Sequence, residues 1–253
     1  MEITPIPCLS DNYAYIINDN NSKIVGVIDP SEASPIISFL SKNKLKLNYI
    51  LNTHHHFDHI GGNTKLKKLY NAKVVGFIDD KHRIPGIDIA LNDNEKWNFG
   101  DLVVKILHIP GHTLGHICFF FEKNKLAFTG DTLFSLGCGR IFEGSHKQML
   151  VSLNKIKKLP KDTKIYCGHE YTYKNAEFCM KYDSGNINLK KKFETVKKLR
   201  SQNLPTIPTS LEEELNSNIF LRCDQNELKT KLNMQNQDDY KVFKKVRDLK
   251  DSF

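Results

Sequence analysis

Short apolar runs rich in β-branched and aromatic residues alternate with helix-like segments along the first two-thirds of the chain. Runs of about four to eight such residues, bounded by Gly, Asn or Asp, are typical of β-strands. They predict strands at 13–17, 24–28, 49–52, 73–77, 102–108, 117–121, 126–129 and 164–167, and a helix at 34–42. Strands that alternate with helices indicate an α/β domain.

The pattern changes near Thr172, where helical periodicity replaces the strands. Residues 189–201 and 238–251 are predicted helices, and Ser210 is followed by Glu213 at the spacing of a helix-capping box. We therefore predict an α/β domain at 1–171 and a smaller, mostly helical domain at 172–253.

Composition and charge narrow the class of protein. No apolar run approaches the ~20 residues of a membrane span, and the first residues carry no secretion or import signal, so we expect a cytoplasmic protein without a membrane partner. The six cysteines show no C-x-x-C pairing, which argues against a thiolate zinc site and a disulfide framework. The net charge of +8 comes from scattered lysines without interleaved aromatics, so we expect no nucleic-acid partner. The oligomeric state stays open.

The most informative motif is Thr-His-His-His-Phe-Asp-His at 53–59, directly after an apolar strand. Residues two apart in extended or loop backbone can point the same way, so His54 and His56 can bind one cation together. Asp58 and His59 then face a second position. Imidazole and carboxylate without thiolate suit Zn, Fe or Mn in an open catalytic site. His55 points the opposite way and is expected to be structural or exposed.

Three later loops supply further candidate ligands, and each loop follows a predicted strand, where open α/β layers usually build their sites. The candidates are His112 in 110–116, Asp131 in 129–133 and His169 in 166–171. A carboxylate between two cations can use both of its oxygens, which favours Asp131 as a bridging ligand. Asp29 ends a strand and either orients the histidine loop through hydrogen bonds or serves as a plain strand-end cap.

Several motifs together resemble those of one enzyme superfamily. They are His-x-His-x-Asp-His at 54–59, Gly-His-Thr-x-Gly-His at 111–116, Gly-Asp-Thr-Leu-Phe at 130–134, Gly-Cys-Gly-Arg at 137–140 and Cys-Gly-His-Glu-Tyr-Thr at 167–172. The set resembles the metallo-β-lactamase superfamily. The last two motifs, with Arg247-x-x-Lys250, resemble the glyoxalase II (hydroxyacylglutathione hydrolase) family more closely, and the resemblance covers nearly the entire chain.

The resemblance implies an αββα sandwich with two metals at its edge and a helical C-terminal domain that covers the substrate. Two divalent cations per chain are then expected, zinc first, with iron or manganese as alternatives. The implied ligands of metal one are His54, His56, His112 and Asp131. Those of metal two are Asp58, His59, His169 and the shared Asp131. Asp58 and Asp131 are the implied catalytic residues, since Asp58 can also orient the attacking hydroxide.

The family reaction is hydrolysis of the thioester S-D-lactoylglutathione to glutathione and D-lactate by a metal-bridging hydroxide, in methylglyoxal detoxification. The residues implied to bind the glutathione thioester are Arg140, Phe142, Tyr171, Arg247 and Lys250. Two of them depart from the family pattern, because Arg140 stands where relatives often carry Lys and Phe142 lacks the hydroxyl of a Tyr. The segment 218–220 reads Asn-Ile-Phe instead of Asn-Pro-Phe, which predicts a less rigid turn.

The sequence leaves three alternatives open. A persulfide dioxygenase-like iron enzyme shares the histidine motif, but it uses one iron and would leave a second ligand set superfluous. An RNA-processing nuclease of the same superfamily would account for the positive charge, but the basic residues are scattered. A non-catalytic, metal-stabilised binding module is disfavoured because structural zinc sites are usually closed and rich in thiolate.

Overall fold

The computed structural model describes all 253 residues, which divide into two compact units. Unit 1 comprises Met1–His108 and Gly115–Gly130, and unit 2 comprises Ile109–Leu114 and Asp131–Phe253. The units interleave along the chain, whereas the predicted domains follow one another. The boundary after residue 171 therefore stays a prediction.

Unit 1 contains the strands β1 to β10 and the helices α1 to α3. The strands are β1 (Glu2–Cys8), β2 (Asn12–Asp19), β3 (Ile24–Ile28), β4 (Tyr49–Leu51), β5 (Lys73–Phe77), β6 (Ile87–Leu91), β7 (Lys96–Phe99), β8 (Leu102–His108), β9 (Ile117–Phe121) and β10 (Leu126–Gly130). The helices are α1 (Ala33–Lys42), α2 (Phe57–Ile60) and α3 (Asn63–Tyr70).

The first sheet has the order β1-β2-β3-β4-β5-β6. Strands β1 to β3 pair antiparallel and β3 to β6 pair parallel, with α1 in the crossover from β3 to β4 and α3 in the next crossover. Alternate side chains of β2 face two different layers. Ile16 belongs to a buried cluster with Leu40 of α1, whereas the ring of Tyr15 lies 5.6 Å from that of Phe128 in β10.

Strands β7 to β10 pair antiparallel in sequence order and pack against the first sheet. All five residues of β9 are buried, which explains its continuous apolar run in place of an alternating pattern. Gly26 of β3 is required by this packing, because a Cβ there would lie 2.6 Å from the ring of Phe99 in β7. Unit 1 is therefore a helix-covered sheet packed face to face on a second sheet.

Unit 2 contains short strand pairs and most of the helices. The strands are β11 (Leu133–Phe134), β12 (Gly137–Cys138), β13 (Lys164–Cys167) and β14 (Thr209–Ser210). The helices are α4 (His146–Ile156), α5 (Thr172–Asp183), α6 (Ile187–Ser201), α7 (Leu211–Ser217), α8 (Asn226–Lys231) and α9 (Asp239–Asp251). The predicted capping box is present, since Ser210 accepts from the Glu213 N–H and the Glu213 carboxylate accepts from the Ser210 N–H.

The main strand predictions are confirmed, and β3, β5, β8, β9 and β13 have the predicted bounds. Strand β1 is not among the predicted strands. It contains Pro5 and Pro7, which are tolerated because β1 lies at the sheet edge, where one side needs no ladder partner. The mixed α/β architecture and the helical C-terminal region are as expected. None of the helices combines the length and the apolar character that a membrane span requires.

Candidate metal centre

The histidine loop of unit 1 leaves the sheet at the end of β4 and turns directly into α2. Asn52, the last residue before the loop, donates from its amide to the His59 carbonyl at 3.0 Å. The Ile117 N–H donates to the Thr53 carbonyl at 2.9 Å, which ties the start of the loop to β9. The loop backbone is thus fixed at both ends, and His54 and His59 are almost completely buried.

A single buried carboxylate, Asp29, organises this loop. It accepts hydrogen bonds from the Thr53 N–H at 2.8 Å, the Thr53 hydroxyl at 2.5 Å and His59 Nδ1 at 3.0 Å. The Asp29 side chain is only 3% exposed, so all three donors meet it away from bulk water. Asp29 therefore orients the histidine loop, which is the first of its two predicted roles.

These bonds determine which ring nitrogens can bind a cation. The carboxylate of Asp29 only accepts, so His59 Nδ1 carries the proton and Nε2 presents its lone pair. The Thr53 hydroxyl gives its proton to Asp29, so its oxygen accepts from His54 Nδ1, 3.1 Å away. The lone pair of His54 is then also on Nε2. Both imidazoles are held in the tautomer that a metal ligand needs.

Asp58 lies beside His59 in α2. Its Oδ2 is 3.6 Å from His59 Nε2 and accepts a hydrogen bond from the Asn12 amide at 3.0 Å. The same amide donates to the Asp58 carbonyl at 3.1 Å. The ligand atoms of His54 and His56 also lie within 4.8 Å of each other. The loop thus presents its candidate ligands as two adjacent pairs.

The candidate ligands of unit 2 converge on one carboxylate oxygen. Asp131 Oδ2 is 3.6 Å from His112 Nε2 and 3.2 Å from His169 Nε2. His112 Nδ1 donates to the Arg140 carbonyl at 2.7 Å, so Nε2 is its acceptor atom as well. A Cβ at Gly139 would collide with the Asp131 carbonyl, which explains why the loop needs glycine there. One oxygen of Asp131 approaches both imidazoles, whereas the sequence predicts a bridge that uses both oxygens.

The donor chemistry fits divalent cations. Two atoms bound to one ion at about 2.0–2.2 Å lie about 3.3–3.6 Å apart in tetrahedral geometry. The separations of 3.6, 3.6 and 3.2 Å between the Nε2 and carboxylate oxygen atoms match that spacing. Each of these pairs joins an imidazole to a carboxylate, a combination that suits Zn, Fe or Mn.

The two histidines of the motifs that were not predicted as ligands have other contacts. His55 Nδ1 lies 3.4 Å from the buried carboxylate of Asp80, which also accepts from Arg83 Nε at 3.0 Å. His116 is buried and stacks on His54 with ring centroids 4.6 Å apart. His55 therefore has the structural contacts expected of it, and His116 packs against a candidate ligand.

Three of the predicted substrate-binding residues surround the ligands of unit 2. The Phe142 ring is 61% exposed and lies 5.2 Å from the His112 ring. Tyr171 stacks on His169 at 4.6 Å with nearly parallel planes. The Arg140 side chain is 60% exposed, and its Nε lies 3.4 Å from Asp251. Aromatic faces and an exposed cation thus flank the loops that carry the candidate ligands.

The two C-terminal residues predicted to bind the substrate, Arg247 and Lys250, differ in burial and in their contacts. Arg247 is 4% exposed and donates to the Cys138 carbonyl at 2.7 Å and to Asp251 at 3.0 Å. Lys250 is half-buried, with Nζ about 5 Å from the Phe178 and Phe253 rings. Burial, followed by the neighbouring Arg247 cation, lowers the pKa of Lys250. Arg247 thus supports the loop that carries Arg140, whereas Lys250 retains access to solvent.

That loop is also held by a buried carboxylate that sequence reasoning missed. Glu214 accepts from the Leu136 N–H at 2.7 Å and from Lys192 at 2.5 Å. Asn218 donates to Glu214 at 2.9 Å and to the Gly137 carbonyl at 3.1 Å. The turn at 218–220 therefore has side-chain support in place of a proline ring, and its lower rigidity stays a prediction.

All six cysteines are free and buried, as the absence of close pairing predicted. Burial raises the pKa of Cys138 and of Cys8 to about 11, and that of Cys167 to about 12. These buried thiols are small core residues, and none of them belongs to the groups of side chains that could hold a metal ion.

Comparison with known proteins assigns the chain to a family. The sequence model of the metallo-beta-lactamase superfamily matches residues 10–169, and that of the hydroxyacylglutathione hydrolase C-terminus matches residues 170–253. A hydroxyacylglutathione hydrolase from Pelagibacter ubique (strain HTCC1062) is 53% identical over the full length of both chains. The chain belongs to the hydroxyacylglutathione hydrolase (glyoxalase II) family. A member of that family from Methylococcus capsulatus is 44% identical over 100% of this chain and 99% of its own.

Solved structures agree with the fold expected of a glyoxalase II. BLEG-1, a B3 metallo-beta-lactamase, is 23% identical with a TM-score of 0.68 over 87% of this chain and 99% of its own. ETHE1 from Myxococcus xanthus gives the same identity and TM-score over 99% and 98% of the two chains. The chain therefore has the mixed α/β metallo-β-lactamase fold with a helical C-terminal region.

Proposed function

We propose that this chain hydrolyses S-D-lactoylglutathione to glutathione and D-lactate. The observation that carries the proposal is the match of residues 170–253 to the hydroxyacylglutathione hydrolase C-terminus, in addition to the catalytic superfamily match at 10–169. Full-length relatives of 53% and 44% identity bear the same name. The proposal includes the predicted boundary, with a catalytic domain at 1–171, a glutathione-binding domain at 172–253 and a cytoplasmic location.

We further propose two divalent cations per chain, zinc first. The proposed ligands of the first are His54, His56, His112 and Asp131, and those of the second are Asp58, His59, His169 and Asp131. Two cations would supply Lewis acidity and lower the pKa of a shared water towards neutrality. The tautomers fixed at His54, His59 and His112 support this assignment, because each directs Nε2 to the proposed ion.

The side chains of the chain itself bind and orient the reactants in this proposal. Asp58 is 38% exposed and carries a carboxylate oxygen towards solvent, where it can orient the attacking water. The leaving group is a thiolate, which departs without a strong general acid. Asp131, only 8% exposed, would hold both cations through its carboxylate.

Glutathione carries two carboxylates and one ammonium at neutral pH, which suits a cluster of cations. Arg140 and Lys250 are the proposed direct contacts, because both retain solvent access. Arg247 contributes by holding the Cys138 carbonyl of the loop that carries Arg140. Phe142 and Tyr171 offer apolar faces to the thioester chain.

The proposal is tested by an assay of thioester cleavage with S-D-lactoylglutathione and, in parallel, acetyl-coenzyme A. We expect rapid cleavage of the glutathione thioester only, its loss after removal of metal with a chelator, and its recovery with zinc, iron or manganese. The variant His82→Ala, which changes an exposed histidine, is the matched control and should behave as the parent protein. Cleavage that is equally fast with both thioesters, or that persists without metal, would contradict the proposal.

A further inference from the structure

Asn12 makes two contacts with Asp58 that the proposed reaction does not explain. It lies at the start of β2 and is 4% exposed. Its amide nitrogen has two protons, and it donates to the Asp58 carbonyl at 3.1 Å and to Asp58 Oδ2 at 3.0 Å. Both donors of a buried amide are thus directed at one residue, 46 positions away in the chain.

The Asp58 carboxylate needs such a tether more than its neighbour His59 does. Its side chain is 38% exposed, whereas that of His59 is 1% exposed and bound by Asp29. A solvent-exposed carboxylate samples several rotamers, and fixing one of them costs conformational entropy when a cation binds. The bonds from Asn12 select one rotamer before binding.

The selected rotamer is the one that suits a shared cation. The oxygen that accepts from Asn12 is Oδ2, and the same Oδ2 lies 3.6 Å from His59 Nε2. That separation matches two atoms bound to one tetrahedral ion, which lie about 3.3–3.6 Å apart. Asn12 and Asp29 therefore hold the two members of this pair from separate positions in the chain.

The chemistry of the tether also matters. A Lys or Arg at this position would offer a positive charge that competes with a cation for the carboxylate and repels the cation itself. A neutral amide donates a hydrogen bond and leaves the full negative charge on Asp58. A hydroxyl would offer one proton and could not bond to both the carbonyl and the carboxylate.

We infer that Asn12 is a positioning residue for the second cation, which acts by holding Asp58 in its coordinating rotamer. The inference rests on the proposed ligand set, in which Asp58 binds the second cation and His54 the first. Thr53 is the corresponding tether of the first cation, because its hydroxyl accepts from His54 Nδ1. The two tethers therefore act on different ions and can be separated by experiment.

The test is a stepwise zinc titration of chelator-stripped protein, followed by calorimetry, with the parent, Asn12→Leu, Thr53→Val and Asp58→Ala. Leucine has nearly the shape of asparagine and no donor. We expect Asn12→Leu to weaken one binding step about 10–100-fold and leave the other within threefold, as is usual for residues that orient metal ligands. Thr53→Val should weaken the other step. Asn18→Ala, in the same strand, changes an amide that donates only to Asn20 and should alter neither step.

Thermal unfolding of the metal-free proteins distinguishes a role of Asn12 in positioning Asp58 from a role in folding. The inference is overturned if Asn12→Leu leaves both steps unchanged, or weakens both equally, while Asp58→Ala weakens one; the proposed function survives that result. If Asp58→Ala itself leaves both steps unchanged, the proposed ligand set fails and the inference fails with it. A lower melting temperature of Asn12→Leu with unaltered zinc binding would also overturn it, because the role would then be structural.

Discussion

The histidine loop of unit 1 and the ligand loops of unit 2 hold their side chains by different means. In unit 1 the candidate ligands lie within residues 54–59, and one carboxylate, Asp29, sets the rings of His54 and His59. In unit 2 the candidates come from separate loops, and the His112 ring is held by the main-chain carbonyl of Arg140. The rings of His54 and His59 thus depend on one side chain, whereas the orientation of the His112 ring depends on the conformation of a loop.

The difference has a consequence for mutational sensitivity. A substitution at Asp29 removes the acceptor of three buried donors at once. No side-chain substitution removes the carbonyl that orients His112, so unit 2 is sensitive at its ligands and at the residues that hold the loop, Glu214 and Arg247.

The largest effect is expected at the proposed bridge in unit 2. Asp131→Ala removes a ligand from both cations, so turnover should fall to the uncatalysed rate. His55→Ala, which changes a residue inside the histidine loop of unit 1, should retain most of the activity because His55 contacts Asp80 and Arg83. Steady-state rates with S-D-lactoylglutathione measure both. Equal losses in the two variants would show that the orientation assigned to the loop is wrong.

The next largest effect is expected at Asp29, the carboxylate that orients the histidine loop of unit 1. Asp29→Ala should weaken the binding of both cations about 10–100-fold, because it releases His59 directly and His54 through Thr53. It should also lower the free energy of unfolding by about 1–3 kcal/mol for a buried donor left without an acceptor. Zinc titration and urea denaturation measure these changes. Asp88→Ala, at a half-exposed carboxylate of the same unit, is the control. Equal effects of the two substitutions would contradict the claim that Asp29 orients His54 and His59.

A smaller and more selective effect is expected at the helical end of unit 2. Lys250→Ala should raise KM severalfold or more, since a charge-assisted hydrogen bond to the substrate is worth ~1.5–3 kcal/mol. Arg247→Ala should raise KM indirectly, by releasing the loop that carries Arg140. The turnover number should fall much less, because the contact is similar in the ground state and the transition state. High salt should weaken binding to the parent protein more than to the variants. An unchanged KM in the double variant would contradict the proposed glutathione contacts. It would not contradict the proposed metal site.

The smallest effect is a shift in pH dependence. Burial and the Arg247 cation lower the pKa of Lys250, so the ammonium loses its proton at a lower pH than an ordinary lysine. As the pH is raised, the KM for the glutathione thioester should therefore begin to increase at a pH lower than ~10.4, the usual pKa of lysine. Lys250→Arg keeps its charge and should remove this component of the rise. Identical KM profiles of the parent and Lys250→Arg would show that Lys250 does not contact the substrate.

In both units the sequence predicts the local features and not the long-range ones. The candidate ligands of the histidine loop could be proposed because they are local, and the ends of β3, β5, β8, β9 and β13 followed from apolar runs bounded by turn residues. Asn12 and Glu214 were not predictable, since their partners lie 46 and 78 positions away and no local pattern marks them. Arg247 was predicted from family resemblance as a substrate contact, and its bond to Cys138 depends on tertiary structure.

The number and location of bound metal ions test the central claim most directly. Elemental analysis of fully loaded protein should give two ions per chain, and one ion should be lost on replacing Asp58 of unit 1 or His169 of unit 2 with Ala. His54→Ala and His112→Ala should each lose the other ion, which a spectroscopic probe such as Co²⁺ in place of zinc distinguishes. One ion per chain in the parent protein, with no loss on replacing Asp58 or His169, would contradict the account.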